Sequence, residues 1–300
     1  KSYITVMAAQ ARTSAQSAER AIAAGNYQGP LHGVPIAVKD LCFTKGVATM
    51  GGTKALINHI PDFDCTVVER LNAAGAIILG KLNLTEGAMA GYNPEFQVPV
   101  NPWGSNLWSG ASSSGSGVAT AAGLCYGSLG SDTGGSIRFP SAACGIVGIK
   151  PTWGRVSRYG VLALAESLDH IGPMTRCAAD AGIILQTIAG LDPNDPTTLS
   201  APVPPMLEEI DQGVHGLRIG VDETYISGNT DPQLAESVLA GIGVLERLGA
   251  VLVKIQMPDI SDYMEAFGVL CSAEALAAHE ATYPSRRDDY GPWFQGWLEK

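Results

Sequence analysis

An α/β fold, with helices covering a central sheet, is what the sequence predicts, and three observations predict it. Short β-type runs alternate with segments of helical period over most of the chain. With 46% hydrophobic residues, 300 residues can bury an ample core as one large domain or two small ones. Prolines and Asp/Asn residues between 192 and 205 interrupt every periodic pattern and mark the best boundary.

The elements follow in order. The first 24 residues, alanine-rich with Arg12, Gln16, Glu19 and Arg20 at helical spacing, read as a surface helix ended by Gly25-Asn26. Strands are expected over 35–38, 76–79 and 146–149, and helices over 64–74 and 116–124. Downstream, 178–189 and 231–248 read as helices and 217–221 and 250–255 as strands. There is no internal repeat. One domain over 1–300 is expected, with a peripheral α/β portion over 193–300.

Composition narrows the function classes. A net charge of −10 without a basic cluster disfavours direct binding to nucleic acid. No apolar run is long enough to span a bilayer, and no leader peptide can be assembled at the N-terminus, so a cytoplasmic location is expected. The six cysteines show no CxxC pair or metal-ligand spacing and read as reduced core residues; no metal and no cofactor are expected. The chain opens at Lys1 and stops just after Trp293 to Leu298, which suggests a fragment of a longer protein.

Chemistry concentrates in three places. Gly110-Ala111-Ser112-Ser113-Ser114-Gly115-Ser116-Gly117 and Gly130-Ser131-Asp132-Thr133-Gly134-Gly135-Ser136 let backbone amides approach a reacting group while supplying several hydroxyls. Upstream, Lys39 ends the apolar run Val34 to Val38. In isolation Lys39 would be a solvated strand-end lysine, and Lys81 shows how ordinary that context is. No phosphate-binding loop or dinucleotide motif occurs. His170 lies next to Asp169 but lacks the strand-to-helix elbow of a histidine triad, so it reads as structural.

These elements, with Cys144 to Thr152, Gly154 to Gly160 and Leu168 to Met174, resemble the amidase signature family. The resemblance implies a family core over residues 30–192 and a central mixed β-sheet covered by helices on both faces. It also implies a triad of Ser136 as nucleophile, Ser112 as bridging cis-serine and Lys39 as base. Ser113 stays open as an alternative to Ser112, because the serine run departs from the usual Gly-Gly-Ser-Ser-Gly-Gly. The amides of Thr133, Gly134, Gly135 and Ser136 would form the oxyanion hole. Met89, Tyr92 and Phe139 are candidates to contact substrate, and Asp132 with Arg138 to brace the nucleophile loop.

A lysine base must be neutral, whereas a lysine of ordinary pKa, about 10.4, is nearly all charged at neutral pH. Desolvation behind an apolar strand is the effect that would depress it. The leading expectation is therefore a free-standing amidase acting on a small amide, with aryl amides, esters or carbamates as substrate classes and an acyl-enzyme on Ser136. The alternative is the amidase subunit of a tRNA-dependent glutamine or asparagine amidotransferase, in which glutamine typically stands where this chain has Phe139. A catalytically inactive scaffold is the third reading. A homodimer is left open.

Overall fold

The computed structural model describes residues 1–300. Its N-terminus departs from the single helix expected there: Tyr3–Val6 forms strand β1, and helix α1 runs over Ala8–Ala23. Tyr3-Ile4-Thr5-Val6 is an aromatic and β-branched run, which suits a pleated, half-buried surface. The alanine-rich period behind it masks that signal. There follow β2 (Pro35–Lys39), α2 (Thr66–Ala73), β3 (Ile77–Leu82), α3 (Ser114–Ala121), β4 (Gly127–Asp132), α4 (Arg138–Cys144), β5 (Val147–Gly148), β6 (His170–Thr175) and α5 (Ala178–Ile188).

The six strands form one mixed sheet in the order β1-β3-β2-β4-β6-β5. Strand β2 runs parallel to β3 and to β4, with Lys39 beside Leu82 and Val38 beside Leu129. The β1/β3, β4/β6 and β5/β6 pairs are antiparallel. Ile36, Ala37 and Val38 are all fully buried, so β2 is covered on both faces, as a parallel strand's continuous apolar run requires. Helices supply that cover. Ser128 of β4 bonds Thr120 of α3 at 2.8 Å, whereas a Cβ on neighbouring Gly127 would lie 2.6 Å from Ile184 of α5. Successive residues of a strand point to opposite faces, which puts α3 and α5 on opposite sides of the sheet.

Strands β4 and β6 carry no strong sequence signal. Gly127-Ser128-Leu129-Gly130-Ser131-Asp132 is depleted in the β-branched residues that mark strands, and Pro173 interrupts β6. Both are held by their central place in the sheet instead. Strands β2 and β4 position the site: because they are parallel, Lys39 and Asp132 leave the sheet at the same edge.

By internal packing the chain divides into two compact units, one of residues 1–205 with 269–300 and one of 206–268. The smaller unit contains β7 (Arg218–Val221), α6 (Glu223–Ser227), α7 (Pro232–Arg247) and β8 (Val251–Lys254), with β7 and β8 paired in parallel. Asp222 and Asp231 cap α6 and α7 by accepting from Tyr225 N and Gln233 N at 3.0 and 2.9 Å, and Pro232 opens α7 where a missing N–H costs nothing. Helix α8 (Ser261–Ala278) contributes its residues from 269 onward to the larger unit, which also holds α9 (Pro292–Leu298). No helix is long and apolar enough to cross a membrane. Cys42, Cys65, Cys125, Cys144 and Cys271 are buried as expected, but Cys177 is exposed and is not a core residue.

Candidate active site

Lys39 ends β2 at the sheet edge and is only 1% exposed. Its Nζ donates to three hydroxyls, Ser112 Oγ at 2.6 Å, Ser131 Oγ at 2.8 Å and Ser113 Oγ at 2.9 Å. Burial lowers the amine from 10.5 to about 7, against the smaller opposing pull of Asp169, Cys42 and Asp132. The sequence therefore places a lysine where its own charge is disfavoured and surrounds it with neutral groups that can accept or return a proton.

The serine loop reaches that lysine through close backbone packing. Gly110 has φ +78°, and a Cβ there would lie 2.2 Å from Pro140 Cα, so only glycine allows the loop to lie against α4. The Ala111–Ser112 peptide is cis. Ser112 and Ser113 are both fully buried, but their surroundings differ. Ser113 Oγ is also tied to the β4 backbone, donating to Ser131 O and accepting from Ser131 N, both at 3.2 Å. Ser112 has the shorter contact with Lys39, and its main chain is anchored by Thr85 N donating to Ser112 O at 3.2 Å.

Ser136 lies half-buried in the turn between β4 and α4, and its carbonyl accepts from Ser113 N at 3.2 Å, which joins the two loops. Asp132 organises this turn. Its carboxylate accepts from Gly135 N at 2.8 Å, Ile137 N at 3.1 Å and Arg138 N at 3.3 Å, and from Arg138 Nε and Nη2 at 3.1 and 2.9 Å. Burial alone would raise the Asp132 pKa, but the Arg138 and backbone donors outweigh it and hold the carboxyl below its ordinary value. Of the four amides expected to face the oxyanion, that of Gly135 donates to the Asp132 carboxylate.

Asp169 braces the turn from the other side. It accepts from Thr133 Oγ1 at 2.5 Å, Leu164 N at 2.8 Å and Ala165 N at 3.1 Å, and burial pushes its carboxyl upward. His170 donates from Nδ1 to Asp132 O at 3.0 Å, a backbone contact that fits its structural reading.

The three substrate candidates lie in different settings. Phe139 is 51% exposed, and its ring lies against Gly135, where a Cβ would be 2.3 Å from Phe139 Cε2. Tyr92 donates to Ser114 Oγ at 2.7 Å, next to the serines around Lys39. Met89 is half-buried at the end of a short helical turn, with its N–H donating to Glu86 O at 3.0 Å.

Sequence reasoning gives no role to Ser131 and takes Lys81 as ordinary. Lys81 is in fact fully buried on β3, where its Nζ donates to Thr49 Oγ1 at 2.6 Å and lies 3.2 Å from Asp40 Oδ1. Asp40 sits next to Lys39, accepts from Met50 N at 2.9 Å, and is raised to about 6 by burial despite the charge of Lys81.

A buried lysine surrounded by serines, beside a Gly-Gly-Ser turn at the edge of a mixed sheet, is thus established, and residues 1–296 match the family described as Amidase. The chain belongs to the Amidase family. It is 48% identical over 302 residues to the putative amidase AmiD of Mycobacterium tuberculosis, covering 100% of this chain and 62% of that protein. It is 46% identical over 275 residues to one subunit of the glutamyl-tRNA(Gln) amidotransferase of Anaeromyxobacter dehalogenans, covering 91% of this chain and 56% of that protein. The peptide amidase of Stenotrophomonas maltophilia superposes with a TM-score of 0.82 at 35% identity, covering 95% of this chain and 60% of that one. The chain thus spans less than two thirds of the length of these members of the family.

Proposed function

We propose that this chain carries the catalytic centre of an amidase that hydrolyses small amides bearing an apolar acyl or aryl group. The observation that carries the reading is the 2.6 Å contact from Lys39 Nζ to Ser112 Oγ in a fully buried site. With the amine lowered to about 7, an appreciable share of molecules hold a neutral lysine near neutral pH.

Ser136 Oγ attacks the amide carbonyl while its proton passes to Ser112, which hands its own proton to Lys39. The oxyanion takes hydrogen bonds from the amides of Thr133, Gly134 and Ser136. Collapse of the tetrahedral intermediate breaks the C–N bond, and the proton returns through Ser112 to the leaving nitrogen. Water then cleaves the acyl-enzyme by the same relay, restoring Ser136 and releasing the acid. Asp132 and Arg138 position the turn without taking part in proton transfer.

The test is hydrolysis by the full-length protein of aryl amides, aliphatic amides, aryl carbamates and free glutamine, with Ser136→Ala and Lys39→Ala alongside. Turnover of apolar amides that vanishes in Ser136→Ala supports the reading; turnover that survives Ser136→Ala overturns it. The identity to the glutamyl-tRNA(Gln) amidotransferase protein favours a second reading, in which glutamine is the substrate and a partner receives the ammonia. Glutamine turnover alone, or activity only after a partner is added, would select it. A scaffold would leave Ser136 unlabelled by a reactive fluorophosphonate.

A further inference from the structure

A tryptophan near the candidate nucleophile has no role in the mechanism above. Trp108 is 61% exposed, and its ring centroid lies 6.1 Å from that of Phe139 with the planes tilted by 48°. That spacing suits a weak aromatic contact and leaves most of both faces open. Phe139 rests on Gly135, one residue before Ser136, so the pair extends outward from the reacting centre.

The backbones beneath both rings are fixed. Buried Asn101 donates from Nδ2 to Trp108 O at 2.8 Å and to Ala143 O of α4 at 2.9 Å. Ser109 Oγ donates to Pro99 O at 3.1 Å, and Gly110 packs on Pro140. The rings thus stand on two supports clamped to each other, while neither ring is itself buried. Trp108 also lines a cavity of about 440 Å³ with Lys1, Tyr92, Val98, Val100, Ser105 and Leu107; Phe139 stands outside its walls and meets it only through Trp108. Tyr92 links that cavity to the serine loop through Ser114. A contiguous exposed apolar group beside a polar centre marks a ligand site more often than scattered surface hydrophobics do.

We infer that Trp108, with Phe139, forms an aromatic subsite that takes a flat apolar group of the amide substrate and makes Trp108 a specificity-determining residue. The inference rests on the amidase reading and deepens it. A phenyl group attached to the scissile carbonyl or to its nitrogen offers the same flat face, and the apolar part of the cavity wall, Val98, Val100 and Leu107, suits either. Lys1 also borders the cavity, but the rings recognise a flat group without it, so a small aliphatic amide would forgo the contact without leaving a buried polar group unpaired.

The test compares kcat/KM of the full-length enzyme for benzamide, acetanilide and propionamide in wild type, Trp108→Ala and Trp108→Phe, with thermal unfolding of each. Trp108→Ala should lower the ratio of aryl to aliphatic kcat/KM by about tenfold, and Trp108→Phe should restore most of it. A fall confined to benzamide places the ring on the acyl side, and one confined to acetanilide places it on the leaving-group side. Val100→Trp, which fills the cavity, should lower the same ratio and serves if Trp108→Ala unfolds. A ratio unchanged within about twofold in Trp108→Ala and Val100→Trp overturns the subsite. Absence of amide turnover in wild type, or turnover that survives Ser136→Ala, would instead overturn the amidase reading itself.

Discussion

Two fully buried lysines stand on adjacent strands of one sheet, and their surroundings differ in kind. Lys39 of β2 lies against three serine hydroxyls, whereas Lys81 of β3 faces the Asp40 carboxylate and one threonine. The register sets Lys39 beside Leu82 and Val38 beside Lys81, so the two side chains leave neighbouring rungs of the ladder. Burial penalises a bare ammonium in both places. A carboxylate 3.2 Å from the Lys81 amine offsets that penalty by pairing, while hydroxyls offset it only weakly and burial lowers Lys39 to about 7. The comparison teaches that burial alone does not define an interior lysine: its partners do, a carboxylate for one and hydroxyls for the other.

The largest expected effect of breaking this contrast is catalytic. Lys39→Met removes the proposed base, and kcat/KM for an apolar amide should fall by about 10⁴-fold. The same variant tests the charge state through stability. Folded Lys39 binds its proton less tightly than the unfolded chain does, so the cost is fully present below about pH 7 and is relieved as pH rises towards 10.5. Lys39→Met should therefore be more stable than wild type at pH 6, by up to about 5 kcal/mol, with the gap narrowing above pH 7. Urea unfolding at several pH values reads this directly; a gap independent of pH would contradict a depressed lysine.

Lys81→Met tests the opposite site. It leaves the Asp40 carboxyl buried without its cation, and stability at pH 8 should drop by about 3–5 kcal/mol. Asp40 is raised to about 6, so its charge is a burden that appears as pH rises from 3.8 through that value. The loss in Lys81→Met should thus shrink at mildly acidic pH, where Asp40 takes a proton. A loss under about 1 kcal/mol at pH 8 would mean that Lys81 is not a structural ion.

The smallest effect refines the Lys39 side alone. Ser131→Ala removes one acceptor from the ammonium, and a lost hydrogen bond to the charged form lowers its pKa further. The acid limb of the kcat/KM profile should move down by about half a pH unit, while stability changes by about 1 kcal/mol. An upward movement of the limb would show that Ser131 holds the neutral amine instead.

Much of this arrangement is legible in the sequence, but for unequal reasons. Strand β2 and helices α2, α5 and α7 follow from apolar period and turn residues. The Lys39–Ser112 contact joins residues 73 apart, and only the resemblance to a known family points to it. Lys81 and Ser131 are hidden because neither local period nor composition reports which face of a covered sheet holds a polar partner. Strands β4 and β6 are hidden for a related reason: their glycines and proline deny them a local strand preference, and tertiary pairing overrides it. The commitment of the Gly135 amide is hidden because an Asp three residues earlier gives no sign of where its carboxylate turns.

The parallel pairing of β2 with β4 has a consequence for how the site comes into being. Lys39 and Ser131 are brought together across 92 positions of chain, with α2, β3 and α3 made in between. Closing such a span carries an entropic cost before any reward from contact, so this pairing belongs among the slow events of folding. A chain still assembling holds its lysine in water, fully charged and unable to act as a base. If Lys39 is the base, its proton-accepting ability therefore arrives with the finished sheet, and a partly folded molecule is protected from premature chemistry by its own incompleteness.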